Sequence, residues 1–478
     1  MTRFLRRVPT PLLVLLVVCL AEALAWCVVL PPLQGPDETS HVAYVQKIAE
    51  ARTIPWGIGG RRGDEAKPYS TELTRASQVG GVEALRGNRS ARPQGTSIDE
   101  RIWGEREATF GREQRADGGH TSALLNPPAY YVYEAVVYAA TSPLSIFDQI
   151  FFLRLANIPF LLLTVVFVWL IAGELLGRRR WLQTLAAGAV ALQPQLVHLT
   201  AVVNPDVALS AVSSAALYLM IVILRRGLTR PRTLGLIALC AAAGLTHGRG
   251  LALVAPALLT LALAVWKARH PGERPTWRTA LALAGGAALL AVPAFVVFTL
   301  RGDVGVDSVR RLGSYLWQFY LPRPDWMTHV GPDYGLREVL VERLFGGFAQ
   351  LEIGFSPALN DAVWLGLIAV ALSAATALVL HRGWLHTSWD VAAVLVAACL
   401  ATLGLLHAVA FRGLTAAGDP IITGRYLLPL AALYGLAVAL SVAWLPRRWG
   451  VALGGALLGV LALLELGAMG LTVERFYA

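Results

Sequence analysis

The sequence predicts an all-α polytopic membrane protein, and three observations carry that reading. Hydrophobic residues make up 56% of the 478-residue chain and charged residues only 15%, where a soluble chain holds about a quarter charged. Apolar windows of roughly 20 residues, each long enough to cross a bilayer core, recur from 11–29 to 451–470. These runs are continuous rather than alternating, which excludes a β-barrel.

The N-terminal stretch MTRFLRRVPTPLLVLLVVCLAEALAW places basic residues before an apolar run, a pattern shared with secretory signals. The run is long and a polar cluster follows it directly, so 11–29 reads as a retained first transmembrane helix with a cytoplasmic N-terminus. The segment 34–126 is the longest polar stretch and reads as a first external loop with juxtamembrane helices. Within it Val42, Val45, Ile48 and Ala49 form one apolar stripe of a surface-lying helix. Its 57–115 portion reads as a small lid or partly mobile insert. Further spans fall at about 153–176, 182–199, 205–224, 233–246, 251–266, 279–300, 360–380, 390–411, 426–445 and 451–470. With 11–29 they make about eleven, in one membrane domain covering 1–478, with a second large external loop at 301–358.

Charge decides how 127–145 is read. If it crosses the membrane, Arg178–Arg180, the Arg225 to Arg232 run, Lys267 to Arg278, and Arg447 with Arg448 all lie outside. If it is a juxtamembrane or re-entrant helix, every one of those clusters joins Arg3, Arg6 and Arg7 in the cytoplasm, as the positive-inside rule prefers. The same rule accounts for much of the net charge of +10, so nucleic acid is not a predicted partner. The four cysteines all lie in apolar spans without a CxxC pair, so they read as buried small hydrophobes.

With that topology the chain's less ordinary polar residues gather on the outer face. Asp37 and Glu38 follow the first span in GPDETSHVAYVQKIAEA, with Thr39 or Ser40 as candidate caps of the next helix. A helix N-terminus favours charged carboxylates, which suits a base or a metal ligand, although a solvated helix cap is the plainer alternative. His41 shares their face if the helix has begun. Asn204-Pro205-Asp206 opens another helix there. Asp206 is either a plain N-terminal acid or a partner that faces Asp37, the two then holding a divalent cation (Mg, Mn or Ca) or orienting an acceptor hydroxyl. Arg249, and Arg425 with Tyr426, enter apolar helices at the same face and suit a phosphate, a snorkelling interfacial arginine being the plainer alternative. No P-loop, GxGxxG on a strand or HExxH is present.

Five stretches in order carry a family resemblance: GPDETSHVAYVQKIAEA, LNPPAYYVYEAVVY, RLANIPFLLLTVVFVWLIAGELLGRRR, NPDVALSAVSSAALYL and ITGRYLLPL. The chain resembles the GT-C superfamily of polytopic glycosyltransferases that use polyprenyl-phosphate sugars, and most closely the relatives of protein mannosyltransferases and aminoarabinose transferases. The resemblance implies Asp37 as catalytic base with Glu38 assisting. Asp206, with Asn204 and His41, would form a second acidic or acceptor site, and Arg249, Arg425 and Tyr426 would bind the donor phosphate. It further implies inverting transfer to an envelope glycan, lipid or protein at the outer face of the plasma membrane. A transporter or flippase for a lipid-linked glycan and a non-catalytic assembly subunit are the rival readings.

Overall fold

The computed structural model describes residues 8–57, 67–88, 90–92, 97–270, 292–293, 295–300, 304–331, 335–417 and 422–478. Among these the chain is helical throughout, apart from one isolated β-bridge between Phe348 and Ile353. In order, the main helices are α1 (Thr10–Val29), α2 (Glu38–Ala51), α3 (Thr71–Val79), α4 (Ser97–Glu107), α5 (Ala129–Ala140) and α6 (Ile146–Leu175). They continue with α7 (Arg180–Ala191), α8 (Pro194–Thr200), α9 (Asp206–Arg226), α10 (Arg230–Thr246), α11 (Val254–Arg269) and α12 (Val306–Tyr320). The last are α13 (Pro357–Leu380), α14 (Trp389–Ala417), α15 (Ala431–Ala443) and α16 (Arg447–Tyr477), with 3-10 turns at Gly248–Leu253 and Gly424–Leu430 leading into α11 and α15.

Eight helices among the described residues are long and apolar enough to cross a membrane. The expected span at 182–199 is broken into α7 and α8, because Pro194 cannot continue α7 and the Gln193 side chain caps the new start through the Leu196 amide (2.6 Å). The expected 233–246 span is the 17-residue α10. Most of the expected 279–300 span lies outside the described residues. Within 127–145 the only described helix is the 12-residue α5, about 18 Å long, too short for a hydrocarbon core of roughly 30 Å.

Charge sorts to the two ends of the bundle. At one end Lys267 pairs with Asp390 (2.7 Å), Arg226 with Glu174, and Arg225 donates to Ser388 Oγ (3.2 Å). α9 runs from that end to Asp206, which lies with Asp37, Arg249 and Arg425 at the other.

Two hydrophobic cores support the polar end. The larger one joins α1, α6, α7, α9 and α15 through residues such as Trp26, Val168, Ala186, Met220 and Ala439. A second joins α2, α3 and α5 to the start of α6 through Val42, Tyr44, Leu73, Trp103, Tyr131 and Ile150. Single side chains from the described parts of 57–115 enter this second core: Leu73, Ala76, Val82 and Trp103. A buried polar bolt fixes them as well: Gln46 donates to Glu72 (2.7 Å) and to Tyr138 Oη (3.0 Å) and accepts from Ser70 Oγ (2.5 Å). The end of α16 latches the same subdomain. Arg475 donates to the carbonyls of Leu85 (2.9 Å), Asn88 (3.1 Å) and Ala91 (2.6 Å), while Glu352 accepts from the Gly87 amide (2.7 Å).

One ion pair fixes the chain between α1 and α2. Arg154 of α6, 2% exposed, forks onto both oxygens of the fully buried Glu38 at 2.8 and 2.7 Å. Its remaining donors reach the carbonyls of Leu30 (2.5 Å) and Pro31 (2.9 Å). Glu38 also accepts from the amides of Gly35 (3.1 Å) and Val203 (3.2 Å), so α1, α2, α6 and the entry to α9 meet at one carboxylate. Arg154→Met leaves that charge buried and unpaired, and is expected to cost about 3–5 kcal/mol of stability. The double substitution Arg154→Met/Glu38→Leu should recover most of the loss, as read by unfolding in detergent.

Candidate active site

Asp37 is the N-cap of α2 and sits in the left-handed region, φ 60° and ψ 9°. A non-glycine residue pays about 1–2 kcal/mol for that conformation. Three more such residues stand in the two loops nearby: Leu33 (φ 65°), Ala349 (φ 52°) and Leu351 (φ 65°). The loops are joined where Gln350 donates to the Leu33 carbonyl (3.2 Å). Gly35 is pressed against α9's entry, where an added Cβ would lie 2.5 Å from Val202 Cγ1. The turn is thus clamped on both sides, yet the Asp37 side chain is 60% exposed between neighbours that are buried.

The expected site residues are brought together. Arg425 of the 3-10 turn reaches Asp37 Oδ2 at 2.5 Å, and its Nε lies 3.9 Å from Asp206 Oδ2. Arg249 forms an ion pair with the other oxygen of Asp206. Both guanidinium groups lie over the ring of Tyr426, Arg249 at 4.0 Å and Arg425 at 5.4 Å from its centroid. Asp206 is 1% exposed and Arg425 7%. Arg249 Nη1 and Arg425 Nη1 and Nε are buried and have no hydrogen-bond partner. Buried donors of this kind call for an acceptor, and a tetrahedral anion supplies several at once. Burial works against the charge on Asp37, but the Arg425 guanidinium outweighs it and holds the carboxyl below its usual range.

His41 stands behind this group. The Asp206 amide donates to Asn204 Oδ1 (2.9 Å), which turns the Asn204 Nδ2 donor towards His41 Nε2 (3.3 Å). Nε2 must then accept, so the proton is on Nδ1 and is donated to Tyr131 Oη (2.8 Å). Asn126 Nδ2 meets the same hydroxyl at 3.0 Å. His41 is therefore a neutral strut between α2, α5 and the Asn204 turn.

Several expectations change. Neither Thr39 nor Ser40 caps α2, because the helix has already begun at Glu38. Glu38 is turned away from the opening and is consumed by Arg154, so it sets the Asp37 turn from below. The two acids Asp37 and Asp206 face arginines, which supply the positive charge a divalent cation would bring, and that donor set does not fit a metal. Among the described residues no group of three or more His, Cys, Asp or Glu could hold one. Arg154 and Tyr131 were not singled out from sequence. An arginine inside the apolar run FFLRLANI is itself the signal for a buried partner.

Beside Arg425 the same turn walls an apolar cavity of about 480 Å³, lined by Leu427, Leu428, Leu344, Trp364 and Tyr434. A second cavity of about 330 Å³ shares Ala371, Leu433 and Ala437 with it and continues along α15 towards Leu440 and Leu175. From Leu427 to Leu440 this apolar path covers about 20 Å.

The strut makes stability depend on pH. Burial lowers the His41 pKa from 6.5 to about 4, with Asp37 opposing the shift. Between these values the unfolded chain binds a proton that the folded chain does not, so stability falls as pH drops. His41→Gln should remove up to about 1.4 kcal/mol per pH unit of that slope, as read by unfolding titrations across the window.

No curated protein matches the sequence. Among solved structures, ArnT from Cupriavidus metallidurans bound to undecaprenyl phosphate is 17% identical with a TM-score of 0.47, covering 96% of this chain and 65% of that one. The archaeal oligosaccharyltransferase AglB from Archaeoglobus fulgidus, in complex with an inhibitory peptide and a dolichol-phosphate, is 13% identical with a TM-score of 0.49, covering 96% and 56%. The chain thus spans less than two thirds of the length of either. The family described as Predicted membrane protein (DUF2142) matches residues 20–434, and the chain belongs to that family of membrane proteins.

Proposed function

We propose that the protein is a GT-C-type glycosyltransferase, moving a sugar from a polyprenyl-phosphate donor to a hydroxyl of a cell-envelope glycan, lipid or protein, with inversion. The observation that carries this reading is a pair of arginines whose buried nitrogens lack partners, ion-paired with two carboxylates beside a turn that also walls an apolar cavity. A phosphate on an apolar chain has the chemistry that fits both halves of that arrangement.

In this mechanism the donor's chain lies along α15 and its phosphate sits between Arg249 and Arg425. Asp206 holds both arginines and does not reach the opening. Asp37 takes the proton of the acceptor hydroxyl as that oxygen bonds to the anomeric carbon. The bond from the anomeric carbon to phosphate breaks, and the arginines stabilise the charge that develops on the leaving lipid phosphate. The arginines supply the positive charge that a cation would otherwise bring. The positive-inside rule puts the basic end in the cytoplasm and therefore this site on the outer side of the plasma membrane.

Asp37→Asn should lower transfer by about 10²–10⁴-fold in an assay with a synthetic polyprenyl-phosphate sugar and envelope acceptors. Equal transfer by both proteins would remove Asp37 from the chemistry, and lipid crossing the membrane without transfer would favour the flippase reading. Arg249→Gln should raise the KM for the donor. For orientation, a cysteine at Trp56 should react with an impermeant thiol reagent added to intact cells, and one at Thr229 should not. The reverse pattern would place the site in the cytoplasm.

A further inference from the structure

The two acids of the site hold their arginines in unlike ways. Asp206 is 1% exposed, its backbone amide is fixed by Asn204, and it touches both Arg249 and Arg425. Asp37 is 60% exposed, its carboxylate touches Arg425 alone among the described residues, and it stands in the left-handed region between a clamped turn and α2. From this asymmetry we infer that donor binding is an ion-pair exchange, in which the donor phosphate takes Arg425 from Asp37 and so frees Asp37 to act as base. The inference rests on the donor-site reading above.

The exchange follows from charge and geometry. Among the described residues the Asp37 carboxylate is held by Arg425 Nη2, which shares its guanidinium with the unpartnered Nη1 that a phosphate beside Arg249 would approach. Two carboxylates already balance two guanidinium groups, so an added phosphate leaves one anion in excess. Asp206 cannot leave, because it is buried and doubly held. Asp37 can, by turning its side chain into the opening while Leu33, Gly35 and Glu38 keep the backbone in place. Without donor, the base is tied down and its affinity for a proton is suppressed, so a lone acceptor hydroxyl is not activated.

The return step follows as well. As the acceptor oxygen bonds to the anomeric carbon, the electron pair of the breaking carbon–oxygen bond goes to the lipid phosphate, and the acceptor's proton goes to Asp37. A protonated Asp37 no longer competes for Arg425. Once that proton passes to water, the carboxylate reclaims the arginine and helps displace the lipid phosphate.

The test is a binding measurement with a polyprenyl monophosphate that carries no sugar, on purified protein in nanodiscs. Removing a competitor should tighten binding, so Asp37→Asn is expected to bind this lipid roughly threefold to tenfold more tightly than wild type while being inactive in transfer. Asp37→Gly should behave alike, because both residues accept the left-handed backbone at this position. Arg425→Gln should weaken binding by at least about tenfold. In an Arg425→Gln background, Asp37→Asn should have no further effect. Unchanged or weaker binding by both Asp37 variants, with Arg425→Gln still weakened, overturns the exchange and leaves the donor site standing. Unchanged binding by Arg425→Gln overturns the donor site itself.

Discussion

The rest of the site depends on one buried ion pair. Two charges taken out of water are tolerated only when their donors and acceptors are met, and the Glu38–Arg154 pair meets that condition with backbone groups from three different segments. Those backbone groups belong to the end of α1, the turn before α2 and the entry to α9. The pair therefore sets where the Asp37 turn lies relative to the Asn204–Asp206 turn. Strain at Leu33, Asp37, Ala349 and Leu351 is borne by packing around this point, since no glycine is present at those positions to relieve it.

Above that foundation the chemistry is electrostatic. Two acids and two arginines stand at the edge of an apolar wall, where water that would screen them is scarce. The same four charges in bulk water would be a weak surface cluster. Here burial of Asp206 and Arg425 makes the cluster stiff, and the one exposed member, Asp37, is the one able to move.

The fold was legible because it rests on length and composition of apolar runs, which the bilayer imposes directly. The breaks were harder. Pro194 was visible, but 182–199 still read as one span because its hydropathy is continuous. Asp37, Asp206, Arg249 and Arg425 could be named from sequence because polar residues at the ends of apolar helices are conspicuous, and orientation gathered them on one face. Glu38 was misjudged for the reason that Arg154 was overlooked. The two lie 116 residues apart, and only tertiary structure shows that each answers the other. The 57–115 segment looked mobile because its charges outnumber its apolar residues locally. Its packing comes from single buried side chains such as Leu73 and Trp103, which carry little periodic signal.

The latch at Arg475 has a consequence for biosynthesis. The last helix ties down a loop that leaves the ribosome almost four hundred residues earlier, and Arg425 and Asp37 are themselves 388 residues apart. The acidic turn therefore lacks its counter-ion until the Gly424–Leu430 turn is made, and the loop lacks its clasp until α16 follows. A nascent or truncated chain holds Asp37 without its counter-ion and the subdomain without its clasp. In such a chain the 85–91 loop lacks the three carbonyl contacts of Arg475 and is open to solvent and to protease, so limited proteolysis at this loop reports whether α16 has docked.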